Sequence, residues 1–104
     1  MLDAVLSTIE NEEQRSELAV FYSKYKERFC WIANSKLKDP LDAEDAVQEL
    51  FSEIADKPER FFDIPPGDRL AYADVMVKNI SILMTRITKR YIRHMLMCFQ
   101  IVQS

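Results

Sequence analysis

The feature that most limits the fold of this chain is the stretch bounded by two prolines, Pro40 and Pro58. Its apolar residues recur every three or four positions, as one face of an α-helix requires. They are Ala43, Ala46, Val47, Leu50, Phe51 and Ile54. Asp39 is a suitable N-cap, and proline is well accepted at the first helical position. The pattern therefore predicts a helix that spans Asp39 to about Asp56.

The other side of this predicted helix carries an excess of negative charge and is called the acidic face. It comprises Asp42, Glu44, Asp45, Gln48, Glu49 and Glu53. Asp45 and Glu49 are four residues apart, as are Glu49 and Glu53, and each such pair repels by a few tenths of a kcal/mol. No Lys or Arg lies between Asp39 and Asp56 to relieve this repulsion. Two interpretations stay open: an ordinary solvated surface, or a binding surface for a basic partner.

Two further amphipathic stretches predict the remaining long helices, one from about Gln14 to Leu37 and one from about Asp68 to Tyr91 or beyond. The first has a stripe predicted to be buried that consists of Leu18, Phe21, Tyr22, Tyr25, Phe29, Ile32, Ala33 and Leu37. The second has a stripe of Leu70, Ala73, Met76, Val77, Ile80, Leu83, Met84 and Ile87. A short helix is expected within residues 1–10, and residues 57–68 read as a link that partly packs down.

These patterns predict an all-α fold, a compact domain of three to four helices. The chain has 104 residues with 48% hydrophobic content and a single glycine, which is typical of one helix-rich domain. We expect the domain to span residues 1–93 and an apolar tail to occupy residues 94–104. An exposed tail of this kind would have to pack back, meet a partner or self-associate.

Charge is divided unevenly along the chain. Residues 1–68 contain 8 Lys or Arg and 16 Asp or Glu, a net charge of −8, whereas residues 69–104 contain 6 and one, a net charge of +5. Such a division suggests two partners of opposite charge, with nucleic acid as the obvious acidic one. A dipolar but otherwise ordinary domain is the alternative.

The positive charge lies on a second stripe of the last predicted helix, called the basic edge. It comprises Lys78, Ile82, Arg86, Lys89, Arg90 and Arg93, interspersed with Asn79, Ser81, Thr85 and Thr88. Basic side chains among small hydroxyl groups suit contacts to phosphate and make binding sensitive to salt. Tyr72, near the start of this helix, either stacks on an unpaired base or simply packs, and the pattern does not choose.

Nothing in the sequence indicates catalysis, a metal site or a cofactor. There is no glycine-rich phosphate loop and no nucleophile beside the single histidine, His94, and the paired acids lie on an open helix face. Cys30 and Cys98 lack metal-ligand spacing, which favours reduced thiols in a cytoplasmic protein. No apolar run approaches the ~20 residues of a membrane span. We expect neither an enzyme nor a membrane protein.

The run Asp-Ala-Glu-Asp-Ala-Val-Gln-Glu-Leu-Phe, residues 42–51, resembles the core-binding helix of bacterial sigma-70 family sigma factors, above all the extracytoplasmic-function (ECF) type. The resemblance extends from about Phe21 to about Arg90 and corresponds to the family's conserved second region. It implies a partner, the coiled coil of the largest subunit of RNA polymerase core. The residues implied to bind polymerase are Asp42, Glu44, Asp45, Gln48 and Glu49.

The last predicted helix resembles the promoter-melting and −10-recognition helix of the same family. The matching residues are Tyr72, Lys78-Asn79, Ile80-Ser81-Ile82, and Arg86 with Lys89-Arg90. The resemblance implies that the non-template strand of the promoter −10 element is contacted by Tyr72, Lys78, Asn79, Arg86, Lys89 and Arg90. The chain departs from the family pattern at Leu83, where the family usually has Asp, and at three residues that thin the basic cluster, Thr85, Ile87 and Thr88.

Sigma factors of this type continue into a helix-turn-helix domain that reads the −35 element, and none is expected after Arg93. Two functions therefore stay open. The first is a transcription initiation domain that binds polymerase core and melts the −10 element. The second is a sigma-like module that acts as a decoy or regulator of polymerase without promoter recognition. The resemblance also leaves room for an anti-sigma factor as a partner.

Overall fold

A computed structural model of the chain describes the backbone of residues 5–103 and the side chains of residues 5–86. The described chain forms four α-helices, and no strand occurs within it. They are α1 (Glu12–Leu37), α2 (Pro40–Asp56), α3 (Pro58–Phe62) and α4 (Arg69–Gln103). A 3-10 turn at Pro66–Asp68 precedes α4. The predicted all-α fold class is confirmed.

Helix α1 has a clear cap at each end. The side chain of Asn11 accepts a hydrogen bond from the backbone N–H of Gln14 at 3.1 Å and thereby caps the first turn. After Leu37 the chain turns at Lys38, which has a left-handed backbone with φ 57°. The N–H of Lys38 donates to the carbonyl of Asn34 at 2.8 Å, which closes the last turn.

Helix α2 begins and ends where the sequence predicts. The Asp39 carboxylate accepts hydrogen bonds from the N–H groups of Leu41, at 2.9 Å, and Asp42, at 3.4 Å. Pro40 occupies the first turn, where its missing N–H costs nothing. The buried side chains of α2 are Ala43, Ala46, Val47, Leu50, Phe51, Ile54 and Ala55. All six positions of the predicted apolar stripe are therefore in the core.

The link between α2 and α4 is more ordered than a loop, because α3 and the 3-10 turn occupy most of it. Phe61 is buried. Arg69 at the start of α4 holds the link down: its guanidinium lies 5.5 Å from the ring centre of Phe61 and 5.0 Å from that of Phe62. The same group donates to the carbonyls of Phe62 and Ile64, both at 3.0 Å. Residues 57–68 are thus fixed against the bundle.

An aromatic cluster occupies the centre of the bundle where α1, α2 and α3 meet. The ring centres of Phe21 and Phe61 are 5.2 Å apart, and those of Phe29 and Phe51 are 6.0 Å apart. Aromatic pairs at such distances and tilted angles stabilise a fold by more than the burial of their apolar area alone. Helix α4 closes the core with Ala73 and Val77, both fully buried. The small side chains let α4 approach the aromatic cluster closely.

Two expectations for α4 are wrong. The sequence pattern predicts Ser81 on the basic edge, but it is fully buried and its hydroxyl donates to the carbonyl of Val77 at 2.7 Å. The pattern predicts Leu83 in the buried stripe, but 57% of its surface is exposed. Helix α4 continues without interruption across the expected boundary between residues 93 and 94. The side chains of Ile87 and of the apolar tail, including His94 and Cys98, lie outside the described residues.

Candidate functional site

The acidic face lies on the outer side of α2. Four of its carboxylates are exposed, those of Glu44, Asp45, Glu49 and Glu53. Asp42 and Gln48 are half-buried. Because the opposite stripe of α2 is locked in the core and Asp39 caps its start, these side chains project from a fixed backbone. The five residues predicted to bind polymerase therefore share one helix surface.

The carboxylates of this face form no ion pair within the described part of the chain. Among side chains of residues 5–86, ion pairs join Arg28 to Asp74 and Arg69 to Glu17, and neither involves α2. The repulsion between Asp45 and Glu49 is therefore not offset by an ion pair, whereas Glu53 lines a cleft together with Lys57 and Arg60. A row of exposed carboxylates on a rigid helix can bind a basic protein surface and orient it.

The basic edge lies on the outer side of α4. Lys78, Asn79 and Arg86 are exposed, and Ile82 is half-buried between them. Lys78 and Arg86 form no ion pair with another described side chain. The side chains of Lys89, Arg90 and Arg93 lie outside the described residues, so the structure places only the first half of the predicted surface.

Tyr72 does not extend freely from α4. It is half-buried, packs against the core and lines a cleft of about 270 Å³ between α2, α3 and α4. The other residues of this cleft are Glu53, Ile54, Asp56, Lys57, Arg60, Phe61 and Met76. The packing alternative thus has direct geometric support, while one side of the ring still faces an open cleft.

A contact that the sequence patterns did not reveal joins α1 to α4. The guanidinium of Arg28 forms a fork on the carboxylate of Asp74, with Nη2 to Oδ2 at 2.7 Å and Nε to Oδ1 at 3.0 Å. This hydrogen bond, together with the negative charge of Asp74, raises the pKa of Arg28. The available signal was that Asp74 is the single acid after residue 68. A lone acid in a basic segment is a good candidate for an internal partner.

Trp31 is a second residue that the patterns did not single out. It is the chain's single tryptophan, it lies on α1, and 74% of its surface is exposed. Helical spacing from the buried residues Phe29 and Ala33 places it outside the apolar stripe, which was the available signal. Trp31 lies one turn after Arg28, the residue that pairs with Asp74 of α4.

The described residues offer no arrangement of side chains that could bind a metal ion. No group of three or more His, Cys, Asp or Glu side chains among them could hold a metal ion. Cys30 is half-buried, and desolvation raises the pKa of its thiol, which keeps it protonated. Within the same part of the chain, no helix has the length and apolar character needed to cross a membrane.

Comparison with known proteins does not identify a family. No protein-family model matches the chain, and no curated protein and no solved structure matches it either. Any functional conclusion therefore depends on the two charged surfaces and on the sequence resemblance described above.

Proposed function

We propose that this chain is a sigma-like domain that binds RNA polymerase core through the acidic face and contacts unpaired −10 DNA through the basic edge. The observation that carries the proposal is the row of exposed carboxylates on α2, none of which forms an ion pair with a described side chain. The proposed protein is cytoplasmic and is not an enzyme. Its binding surfaces lie on different helices of one small bundle.

The acidic face gains most from a basic partner because its own charges repel one another in the free protein. An isolated row of Asp45, Glu49 and Glu53 loses a few tenths of a kcal/mol per neighbouring pair. A partner helix rich in Arg would convert that repulsion into attraction and would accelerate association. The coiled coil of the polymerase's largest subunit is the partner that the resemblance implies.

The basic edge would hold the non-template strand without any chemical step. Lys78 and Arg86 are exposed and can meet phosphates, and the amide of Asn79 can both donate to and accept from a base edge. A surface that binds unpaired bases better than paired bases shifts the duplex toward the open state. Lys89 and Arg90 are proposed to continue the same phosphate contacts.

A second function is favoured by one observation on the same helix. Leu83, at the position where the family usually has an acid, is exposed, and so is Val75 two turns earlier. An apolar surface beside the basic edge suits protein contact better than DNA contact. The chain would then bind polymerase and regulate it as a decoy, without promoter recognition.

The polymerase contact is tested by pull-down with purified polymerase core. We expect the Asp45→Ala, Gln48→Ala double variant to lose capture by at least about tenfold, which is 1.4 kcal/mol. An exposed acid and an exposed amide on α1 provide a matched control, Glu27→Ala with Asn34→Ala, and this control should be captured like the wild type. Equal capture of both double variants would contradict the proposed docking surface.

The DNA contact is tested with a labelled single-stranded −10-like oligonucleotide by fluorescence anisotropy at several salt concentrations. We expect affinity to fall with salt and to be reduced further in the Lys78→Ala, Arg86→Ala double variant. The charge-matched control is Lys26→Ala with Lys36→Ala on α1, where both lysines are exposed. Affinity that ignores salt and survives the first double variant would exclude the DNA role and leave the polymerase regulator.

A further inference from the structure

Trp31 has an exposure that its size makes unusual. A tryptophan side chain is the largest apolar surface a residue can present, and it is highly buried on average. Here 74% of it is exposed, in the second half of the 26-residue helix α1. A helical backbone fixes the ring's attachment point, and only two side-chain torsions remain to be ordered on binding.

The contacts between α1 and α4 show what lies beside Trp31. Near the start of α4, Arg69 pairs with Glu17 at 3.7 Å, and five residues later Asp74 pairs with Arg28 at 2.7 Å. Later residues of α4 thus meet later residues of α1, so the two helices run in the same general direction where they pack. One turn beyond Arg28 is Trp31, and one turn beyond Asp74 is Lys78.

Trp31 and Lys78 therefore flank the same stretch of the groove between α1 and α4, on its outer side. Lys78 is exposed, and Arg86, two turns further along α4, is exposed as well. The fork between Arg28 and Asp74 fixes the spacing of the two helices directly below this pair. Helical spacing from this contact thus places the exposed ring of Trp31 and the exposed charge of Lys78 on the same outer side of the two helices.

We infer that Trp31 is the stacking platform for an unpaired base of a nucleic-acid strand whose phosphates contact Lys78 and Arg86. The inference deepens the proposed DNA contact and rests on it. A ring beside basic side chains is the arrangement by which proteins hold single strands, because every base has a stacking face. The positive charge of the edge favours a strand that carries a phosphate at every nucleotide. A second copy of this chain, docked by its acidic face, is the competing outcome that the test below separates.

The platform is Trp31 and not the half-buried Tyr72. Stacking on a base requires a ring whose face is free, and Tyr72 has part of its surface packed against the core. Among the described residues, no aromatic ring and no Lys or Arg side chain stacks on Trp31. The nucleic-acid strand would accordingly cross from α4 onto α1 and would not follow α4 alone.

Because Trp31 is the chain's single tryptophan, its own emission reports the contact in the intact 104-residue chain. We expect the single-stranded −10-like oligonucleotide to quench that emission in step with the anisotropy signal, and the matched duplex to quench it much less. Trp31→Ala should weaken oligonucleotide binding by about 5- to 150-fold, whereas Trp31→Phe should keep most of the affinity. Val20→Ala, an exposed apolar truncation three turns earlier on α1, should bind like the wild type.

The outcomes separate the two proposals. Salt-sensitive oligonucleotide binding with unchanged emission and an unaffected Trp31→Ala variant would overturn the stacking platform and leave the DNA contact intact. Absence of any oligonucleotide binding would overturn the DNA contact and the platform together. An emission change caused by raising protein concentration alone would assign Trp31 to self-association and overturn the platform. Circular dichroism should show Trp31→Ala folded, because the exposed ring contributes little to packing.

Discussion

At the scale of single residues, the fork between Arg28 and Asp74 fixes how α1 sits on α4. We expect Asp74→Ala to lower the urea midpoint of unfolding and Arg28→Lys to lower it less. A lysine keeps the charge but loses the two-pronged geometry seen here, with Arg28 Nη2 to Asp74 Oδ2 at 2.7 Å and Nε to Oδ1 at 3.0 Å. The measurement is a double-mutant cycle of Arg28→Ala and Asp74→Ala by chemical denaturation.

One outcome of this cycle would contradict the prediction. If the changes in the free energy of unfolding caused by the two single variants add up to that of the double variant, then the contact does not couple the helices. A pair on a fully solvated surface would often give that result. Asp74 is only 21% exposed in its side chain, however, and this favours measurable coupling.

Cys30 gives a prediction about pH. Desolvation raises the pKa of its thiol, so the folded protein binds the proton more tightly than the unfolded chain does. The stabilisation is complete below the thiol pKa of the unfolded chain, about 8.5, and is lost as pH rises through the higher folded value. In a Cys98→Ser background, we expect iodoacetamide to modify Cys30 more slowly in the folded protein than in urea at pH 7 to 8.

The rate profile provides the check on this prediction. The pH at which alkylation becomes fast should be higher for the folded protein than for the urea-unfolded one. An identical profile in both states would mean that Cys30 is solvated and that burial does not control its reactivity.

At the scale of elements, α2 should show a trade between stability and binding. Glu49→Lys replaces two repulsions, with Asp45 and Glu53, by two attractions at helical spacing. We expect the free energy of unfolding to rise by about 0.5–1 kcal/mol while capture of polymerase core is lost. Urea denaturation and pull-down of the same protein measure the two effects.

The control for this variant is Glu49→Gln, which removes charge and adds none. It should raise stability by roughly half as much and weaken capture without abolishing it. If Glu49→Lys were more stable and were still captured like the wild type, the acidic face would be an ordinary solvated surface.

The connection between α1 and α2 contains the one described non-glycine residue with positive φ, Lys38 at 57°. A side chain in the left-handed region costs about 1 kcal/mol, which glycine does not incur. Glycine is more flexible than lysine in the unfolded chain, and this offsets part of the gain. We therefore expect Lys38→Gly to raise the free energy of unfolding by no more than ~1 kcal/mol. Thermal and urea denaturation test this, and Lys36→Gly inside α1 should instead destabilise.

How far the sequence predicts the elements depends on where the signals for their ends are located. Both ends of α2 follow from chemistry next to them, the cap at Asp39 and the proline at position 58. The ordered conformation of residues 57–68 does not follow from neighbouring residues in the sequence. It depends on Arg69, whose carbonyl and ring partners come together only when the chain folds. A five-residue helix is also too short to show a periodic pattern.

Some surface positions can likewise be predicted from the sequence, and others cannot. Helical spacing correctly places the exposed members of the acidic face, since one well-defined stripe on α2 is buried. On α4, by contrast, Ser81 is buried and Leu83 is exposed, which reverses what their polarity suggests. The reason is tertiary: a small residue is needed where α4 meets the core closely, and its hydroxyl is satisfied by the carbonyl of Val77 within the helix.

At the scale of the whole molecule, the uneven charge of the sequence becomes two surfaces on two helices. Local contacts and the overall field affect nucleic-acid binding differently. Each phosphate contact adds about 0.7 to the slope of log affinity against log salt for a single strand. Distant charges change the affinity chiefly at low salt, where the Debye length is tens of ångströms, and little at 1 M, where it is about 3 Å. The two contributions can therefore be separated in one experiment.

We therefore expect opposite signatures from the two surfaces in oligonucleotide binding. Lys78→Ala with Arg86→Ala should reduce the salt slope by about 1.4, because two phosphate contacts are lost. Asp45→Asn with Glu49→Gln should leave the slope nearly unchanged above 0.1 M salt and raise affinity below it, because only the repulsive field changes. Anisotropy titrations from about 0.01 to 0.5 M salt measure both. A reduced slope in the acidic-face variant would mean that those carboxylates lie beside the bound strand, and one helix could not then serve polymerase at the same time.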